Sequence, residues 1–177
     1  VVRPADANET AIAWREVIKR RKPTGFALSR QNLPVIDRTS CGSAEGVAKG
    51  AYIVCDTAKD PDVILIATGS EVHIAIAAAA LLANENVAAR VVSAPSLEWF
   101  DEQGPAYREE ILPKSIKARV SIEAGVGSGW HKYVGDSGEI IGLEHFGASA
   151  SAGELFKEYG FTPENIVAAA RRTIARS

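Results

Sequence analysis

The 177-residue chain is 46% hydrophobic and carries a formal net charge of −2, which is typical of a globular protein large enough to bury a core. This near-neutral charge gives no electrostatic basis for binding nucleic acid or an anionic membrane, and we expect neither as a partner. No apolar stretch is long enough to span a bilayer as a helix.

Residues 1–33 are predicted to form the end of a first α/β domain. Asp6 and Glu9 have the spacing of an N-cap and the third residue of a helix, and apolar residues follow at helical spacing. The stretch Gly25–Ser29 then predicts a strand, which would place Arg30 at the carboxyl end of that strand.

Residues 34–50 have no clear hydrophobic period and contain Pro34 and three glycines, so we interpret them as a linker. Strand–helix alternation then predicts a second α/β domain over residues 51–177. Val63–Ala67 is a continuous apolar run, typical of a strand buried on both faces, and should be the central strand. Ala51–Cys55 is expected to be an antiparallel or edge strand.

The remaining elements of this domain also alternate. Thr68 and Glu71 have the spacing of a capping box, which predicts that Thr68 caps the helix after the central strand. Further strands are predicted at Ala89–Ser93, Ala118–Glu123 and Glu139–Leu143. Helical turns are predicted within Glu98–Ile111 and at the end of the glycine-rich turn Gly125–Gly135. Ser151 and Glu154 are predicted to open a short helix that Gly160 ends, and Thr162-Pro163 to cap the last helix. We therefore expect a doubly wound α/β domain with a mostly parallel sheet, preceded by a remnant of a second α/β domain.

Two further features concern the cysteines and the start of the chain. Cys41 and Cys55 have neither a disulfide framework nor a metal-ligand spacing, so we expect reduced thiols in a cytoplasmic protein. The chain contains no methionine and begins Val-Val-Arg-Pro, from which we expect a part of a longer polypeptide.

The segment Gly125–Trp130 is a candidate dinucleotide site. Its glycines follow a predicted strand and open a helix, and Glu144 lies near the end of the next strand, where an acid could bind a ribose. However, the third glycine of the fingerprint would fall at Trp130, whose ring would block close packing of helix and strand. An ordinary tight turn accounts for these residues better.

Thr68–Glu71 could hold an anion at a helix N-terminus. The carboxylate of Glu71 would repel that anion, and helix capping alone accounts for the pattern. His73, His131 and His145 lack metal-ligand spacing, and we interpret each as a surface or packing residue. No serine lies in a G-x-S-x-G motif, so a hydrolase is unsupported.

Arg30 is the candidate ligand contact. A guanidinium at the carboxyl end of a parallel strand lies where open α/β sheets bind ligands. Its planar fork matches the oxygens of a phosphate. A structural salt bridge would leave the same trace in the sequence, so the residues alone do not decide between the two roles.

Six motifs follow one another in the order in which they occur in transketolases. They are Arg3–Glu9 (RPADANE), Leu28–Leu33 (LSRQNL), Ile66–Val72 (IATGSEV), Ala89–Ser96 (ARVVSAPS), Arg119–Gly125 (RVSIEAG) and Phe146–Ala150 (FGASA). An ordered series is more specific than any single motif, and this series covers nearly the whole chain. The chain resembles the carboxyl-terminal part of a bacterial-type transketolase: the end of the pyrimidine-binding domain (1–33), a linker (34–50) and the transketolase C-terminal domain (51–177).

The resemblance implies an enzyme of the pentose phosphate pathway that uses thiamine diphosphate and Mg²⁺ or Ca²⁺. Such an enzyme transfers a two-carbon ketol unit from a ketose phosphate to an aldose phosphate, and the cofactor supplies the carbon–carbon chemistry. In the family, the arginine of the Ser-Arg-Gln motif helps to hold the sugar phosphate. The matching residue is Arg30, which agrees with the interpretation of this residue from its chemistry.

Other parts of the family's site are not identified in this sequence. We find no Gly-Asp-Gly…Asn stretch for the diphosphate and metal, no activating glutamate, and none of the histidines of the substrate channel. We therefore assign no catalytic, cofactor or metal residue, and expect the chain alone to bind no cofactor and to be inactive. The resemblance also implies a homodimer and packing against upstream domains of the same polypeptide.

Two other functions remain open from the residues alone. The chain could be a nucleotide- or anion-binding regulatory module that uses Gly125–Gly129 or Thr68–Glu71. It could also be a purely structural dimerisation domain.

Overall fold

The computed structural model describes residues 1–177, the whole sequence. Its strands are β1 (Tyr52–Cys55), β2 (Val63–Ala67), β3 (Ala89–Ser93), β4 (Arg119–Ile122) and β5 (Glu139–Ile141). Its α-helices are α1 (Ala7–Arg20), α2 (Glu71–Asn84), α3 (Leu97–Asp101), α4 (Pro105–Ile111), α5 (His131–Val134), α6 (Ala152–Glu158) and α7 (Pro163–Arg176). Two 3₁₀ helices cover Ala44–Lys49 and Gly127–Trp130. None of the helices has the length and apolarity that crossing a membrane requires.

The five strands form one sheet in the order β1-β3-β2-β4-β5. β1 runs antiparallel to β3 at one edge, and all the other pairs are parallel. β2 is the central strand, and all five of its residues are buried. The predictions of a central strand at Val63–Ala67 and of an antiparallel edge strand within Ala51–Cys55 are therefore confirmed.

Helices cover both faces of the sheet. Leu65 belongs to a core cluster that joins the sheet to α2 and α7, whereas Ile64 and Ile66 belong to a second cluster that joins it to α3, α4 and α5. Successive side chains of a strand point to opposite faces, so a strand covered on both sides must be apolar throughout. The predicted doubly wound α/β fold with a mostly parallel sheet is confirmed.

The caps of three helices also follow the prediction. Asp6 accepts a hydrogen bond from the backbone N–H of Glu9 (2.7 Å) at the start of α1. Ser151 and Glu154 form the capping box of α6, and Thr162 caps α7. Each cap satisfies backbone N–H groups that have no partner inside the helix.

The first residues of the chain lie across the carboxyl ends of the central strands. The backbone N–H of Arg3 donates to the carbonyl of Pro95 (2.8 Å), and the N–H of Gly69 donates to the carbonyl of Arg3 (3.0 Å). These bonds place the side chain of Arg3 over the ends of β2 and β4.

The strand predicted at Gly25–Ser29 is not formed. Phe26 makes a single isolated bridge with Val2, supported by one bond from Val2 N–H to the carbonyl of Gly25 (2.9 Å) and one from Ala27 N–H to the carbonyl of Val2 (3.0 Å). A strand needs a run of partners, and this segment pairs with one residue only. Arg30 therefore lies in a bend beyond a bridge, which corrects its predicted place at the end of a parallel strand.

The predicted capping box at the start of α2 is also wrong. The hydroxyl of Thr68 donates to the carbonyl of Arg3 (3.3 Å), and the N-cap of α2 is Ser70, whose hydroxyl donates to Glu71 Oε1 (2.5 Å). The side chain of Glu71 is buried and does not bond to Thr68, the predicted cap. Thr68 and Glu71 both depart from the predicted capping box because each bonds to Arg3 instead. The hydroxyl of Thr68 donates to the carbonyl of Arg3, and the carboxylate of Glu71 accepts from its guanidinium.

Candidate functional site

Arg30 is exposed and lines a cavity of about 510 Å³ between the bend at residues 30–31 and the start of α6. The other lining residues are uncharged: Gln31, Ala150, Ser151, Ala152, Leu155 and Phe156. The single positive charge makes this cavity attractive to an anionic group. Its walls come from two segments that lie more than a hundred residues apart in the sequence.

The guanidinium of Arg30 forms no hydrogen bond and no ion pair with any residue of the chain. The sequence left two roles open for Arg30, a structural salt bridge or a ligand contact. The structure contains no such salt bridge. All five of its N–H groups are free to donate, which is the state that a phosphate contact requires.

The wall opposite Arg30 is held by the capping box of α6. The backbone N–H and the hydroxyl of Ser151 donate to Glu154 Oε2 (3.2 and 2.7 Å), and the backbone N–H of Glu154 donates back to Ser151 Oγ (3.4 Å). These bonds to Ser151 lower the pKa of Glu154 below its ordinary value. The carboxylate is used within the cap and does not line the cavity, so it does not neutralise Arg30.

A second cluster fills the crevice at the carboxyl ends of β2 and β4, where the strand order reverses and open α/β sheets commonly bind ligands. Arg3 Nη2 donates to Glu71 Oε2 (3.2 Å), and Arg3 Nη1 forms an ion pair with Glu123. Glu123 also accepts a hydrogen bond from Trp130 Nε1 (2.6 Å). The chain thus occupies its own crevice with a cation held between two carboxylates.

The charges in this crevice disfavour the anion site considered for Thr68–Glu71. The side chain of Glu71 is fully buried, and it accepts a further bond from the backbone N–H of Ala124 (3.1 Å). Burial raises the pKa of Glu71, while the hydrogen bond from Ser70 and the charge of Arg3 act in the opposite direction. A carboxyl group and its cation already fill the space that an incoming anion would need.

The glycine-rich segment Gly125–Trp130 folds as a tight turn. Trp130 is buried at the position of the third fingerprint glycine, and the following helix α5 has only four residues, too short to provide the dipole that holds a diphosphate. A Cβ atom at Gly127 would clash with Ile140, so this glycine allows the turn to pack on β5. Glu144 is exposed beside Gly127 and adds negative charge there.

The histidines do not assemble a site. His73 Nε2 lies 3.1 Å from the carbonyl oxygen of Ala5, His145 packs edge-on against Tyr159, and His131 is exposed. No three His, Cys, Asp or Glu side chains come close enough together to hold a metal ion. The residues of this chain therefore do not fit the metal–diphosphate group that the family resemblance implies.

The sequence interpretation missed a buried polar network that joins α1, the loop that carries Arg38, β1 and β3. Glu9 Oε1 accepts hydrogen bonds from Tyr52 Oη and Ser93 Oγ, both at 2.7 Å. Arg38 donates to Tyr52 Oη (2.8 Å) and to Asp6 Oδ2 (3.0 Å). Burial raises the pKa of Glu9, and its hydrogen bonds oppose that rise. The sequence signal was present, since Glu9 stood out as a capping residue, but its distant partners were not visible.

The sequence of this chain was compared with those of known families and proteins. The family described as transketolase-like TK C-terminal domain matches residues 50–162. The transketolase of Mycobacterium tuberculosis (strain ATCC 25618 / H37Rv) is 54% identical over 182 residues, which cover 98% of this chain and 26% of that protein.

Two solved structures show the same architecture. A transketolase from Leishmania mexicana superposes with a TM-score of 0.89 at 42% identity, covering 99% of this chain and 25% of that one. A Pichia stipitis transketolase in complex with sedoheptulose-7-phosphate gives a TM-score of 0.86 at 37% identity, with 99% and 25% coverage. The chain spans about a quarter of the length of the relatives it matches. This chain belongs to the transketolase family and contains its C-terminal domain.

Proposed function

We propose that the chain acts as the carboxyl-terminal part of a transketolase, and that Arg30 contacts the phosphate of the sugar substrate. The whole enzyme would transfer a two-carbon ketol unit from a ketose phosphate to an aldose phosphate. One observation carries the role of Arg30: an exposed guanidinium without a partner is the only charged group in its cavity. Complexes of Pichia stipitis transketolases with sedoheptulose-7-phosphate and xylulose-5-phosphate support the substrate class.

In this proposal Arg30 binds and orients the sugar phosphate, and takes no part in making or breaking covalent bonds. Its fork donates two parallel N–H···O bonds to phosphate oxygens, which fixes both the position and the direction of the sugar's phosphate end. Holding that end reduces the freedom of the reacting carbons at the other end of the sugar. The carbon–carbon chemistry of the family is assigned to no residue of this chain.

We also propose that residues 1–177 alone neither bind thiamine diphosphate well nor turn over substrate. The support is that the chain brings together no set of metal-binding side chains. The division into the end of a pyrimidine-binding domain (1–33), a linker (34–50) and a C-terminal domain (51–177) belongs to the same proposal. It is supported by a family match that begins at residue 50.

A homodimer and contacts with upstream domains are part of the proposal. Four large apolar residues near α1 are each more than half exposed: Trp14, Ile18, Leu28 and Val35. Exposed apolar surface of this kind is typical of an interface. A cytoplasmic location is proposed as well, with the two free thiols as its support.

The test of Arg30 uses the full-length polypeptide carrying Arg30→Ala. Hydrogen bonds to a charged group contribute about 1.5–3 kcal/mol, so KM for xylulose-5-phosphate should rise roughly ten- to a hundredfold. KM for xylulose itself, which lacks the phosphate, should not change. The ratio of the two effects isolates the phosphate contact from a general loss of activity.

Two variants serve as controls for this experiment. Arg30→Lys keeps the charge and loses the fork, so its KM should lie between those of the parent and Arg30→Ala. Lys157→Ala removes an exposed cation from α6 that does not line the cavity, and its kinetics should match the parent. Unchanged kinetics in Arg30→Ala would remove the assignment.

A further inference from the structure

The two cysteines, which the sequence interpretation left unconnected, lie side by side. Cys41 is in a turn of the linker and Cys55 ends β1, fourteen positions further along the chain. Their Sγ atoms are 3.1 Å apart. Both thiols are free and both residues are half-buried.

The backbone around Cys41 creates this proximity. The N–H of Gly42 donates to the carbonyl of Val54 (2.7 Å), which pins the linker turn against β1. A Cβ atom at Gly42 would clash with the carbonyl of Ile53, so only glycine permits so close an approach of the two backbones. The ladder between β1 and β3 is irregular between Ile53 and Cys55, which sets Cys55 apart from the regular strand.

A side-chain contact holds the same turn from its other side. Arg38 donates to the carbonyl of Gly42 (2.8 Å) and forms an ion pair with Asp6 at the start of α1 (3.0 Å). The turn that carries Cys41 is therefore fixed to β1 and to α1 at once. These contacts hold the backbone that carries Cys41 beside the end of β1, where Cys55 lies.

We propose that Cys41 and Cys55 are a reversible modification site, which a low-molecular-weight disulfide oxidant converts into an intrachain disulfide. In the first step the thiolate of Cys41 attacks one sulfur of the oxidant, forms a mixed disulfide and releases one thiol. In the second step the thiolate of Cys55 attacks Sγ of Cys41 and releases the second thiol. The two cysteine protons end on the two released thiols, and the electron pair lost by the cysteines reduces the oxidant.

The surroundings of the two thiols indicate this order of attack. Burial raises the pKa of Cys55 to about 12, and the neighbouring Cys41 contributes to that rise. A thiol that rarely ionises is a poor first nucleophile, because the thiolate is the reacting form. Cys55 suits the second step, in which its target sulfur is already held beside it.

The cross-link would join the linker covalently to the edge of the sheet. It would close a short loop that the unfolded chain could no longer open, which stabilises the folded state. We expect the oxidised protein to melt roughly 5–10 °C above the reduced protein. A thiol reductant should reverse the shift completely.

The experiment treats the reduced full-length polypeptide with oxidised glutathione, blocks the remaining thiols with N-ethylmaleimide, and maps the peptides by mass spectrometry. We expect the peptides of Cys41 and Cys55 joined, lighter by two hydrogen atoms than their sum, with neither glutathione nor maleimide on either cysteine. The link should form at least tenfold faster in the folded protein than in urea.

Serine variants assign the two roles. Cys55→Ser should accumulate glutathione on Cys41, because the resolving thiol is missing, and Cys41→Ser should leave Cys55 reduced for longer. A stable glutathione adduct in the parent protein, two cysteines that stay open to maleimide, or a link that forms no faster in the folded state would each overturn the proposal.

Discussion

Arg3 and Glu71 form an ion pair, with 3.2 Å between Nη2 and Oε2, in the crevice at the carboxyl ends of the central strands. The side chain of Glu71 is fully buried, and Arg3 also pairs with Glu123. A cation from the first residues of the chain therefore lies between the acid that begins α2 and the acid that follows β4. The contact ties the first residues of the chain to the carboxyl-end edge of the sheet and fills a crevice that many α/β proteins leave for a ligand.

Replacing Arg3 by alanine should destabilise the protein strongly. Glu71 would remain buried without its cation, and removing one partner of a buried pair typically costs about 3–5 kcal/mol. The free energy of unfolding from urea titrations measures the effect. Arg15→Ala is the matched control, since Arg15 pairs with Glu45 at the surface and such exposed pairs contribute up to about 1 kcal/mol. Equal effects of the two substitutions would contradict the structural role of Arg3.

The stability of the fold should depend on the buried strand β2. Leu65→Ala removes a fully buried side chain from the larger core cluster and should cost about 2–5 kcal/mol. Leu81→Ala, on a part of α2 where the leucine is 38% exposed, should cost clearly less. Urea midpoints of the two variants compare the same chemical change at two depths. A larger loss at Leu81 would mean that β2 is not central.

The contribution of Glu9 to the free energy of unfolding should decrease as the pH rises towards neutral. Burial raises its pKa above the ordinary 4.5 in the folded state, so the folded protein binds this proton more tightly than the unfolded chain. The associated stability is fully present below pH 4.5 and is lost as pH rises through the raised folded value. The difference in unfolding free energy between the parent and Glu9→Gln should therefore shrink as pH rises above 4.5.

Glu139 is the control with the opposite sign. Its hydrogen bonds and ion pairs with Arg172 and Arg176 lower its pKa below 4.5. Its contribution is present above pH 4.5 and is lost as pH falls through the lowered folded value. The effect of Glu139→Gln should be largest near neutral pH and should shrink in acid. Urea titrations at several pH values test both residues, and parallel curves for the two variants would refute the assignment.

The chain should not bind a dinucleotide. Trp130 is buried where a dinucleotide fingerprint needs its third glycine, and Glu71 fills the alternative anion site. Titration calorimetry with NAD should therefore give no heat beyond that of an equal concentration of inorganic phosphate, which controls for the exposed Arg30. A larger heat that Gly127→Ala abolishes would restore the dinucleotide interpretation.

Several features followed from local patterns in the sequence. The run Val63–Ala67 predicted a strand covered on both faces, because burial on both sides demands continuous apolar residues. The caps at Asp6, Ser151 and Thr162 were predicted because a cap is decided within four residues. The ordered motifs also identified the family, which the comparisons then confirmed.

Only the tertiary structure decided the features that depend on distant partners. It showed that Gly25–Ser29 pairs with a single residue, that Thr68 bonds to Arg3 instead of capping α2, and that Cys41 lies beside Cys55. Local spacing determines helix caps and strand faces, because their partners lie a few residues away. Ion pairs, cavities and thiol contacts join residues that only chain folding brings together, so their geometry could not be read from the order of residues.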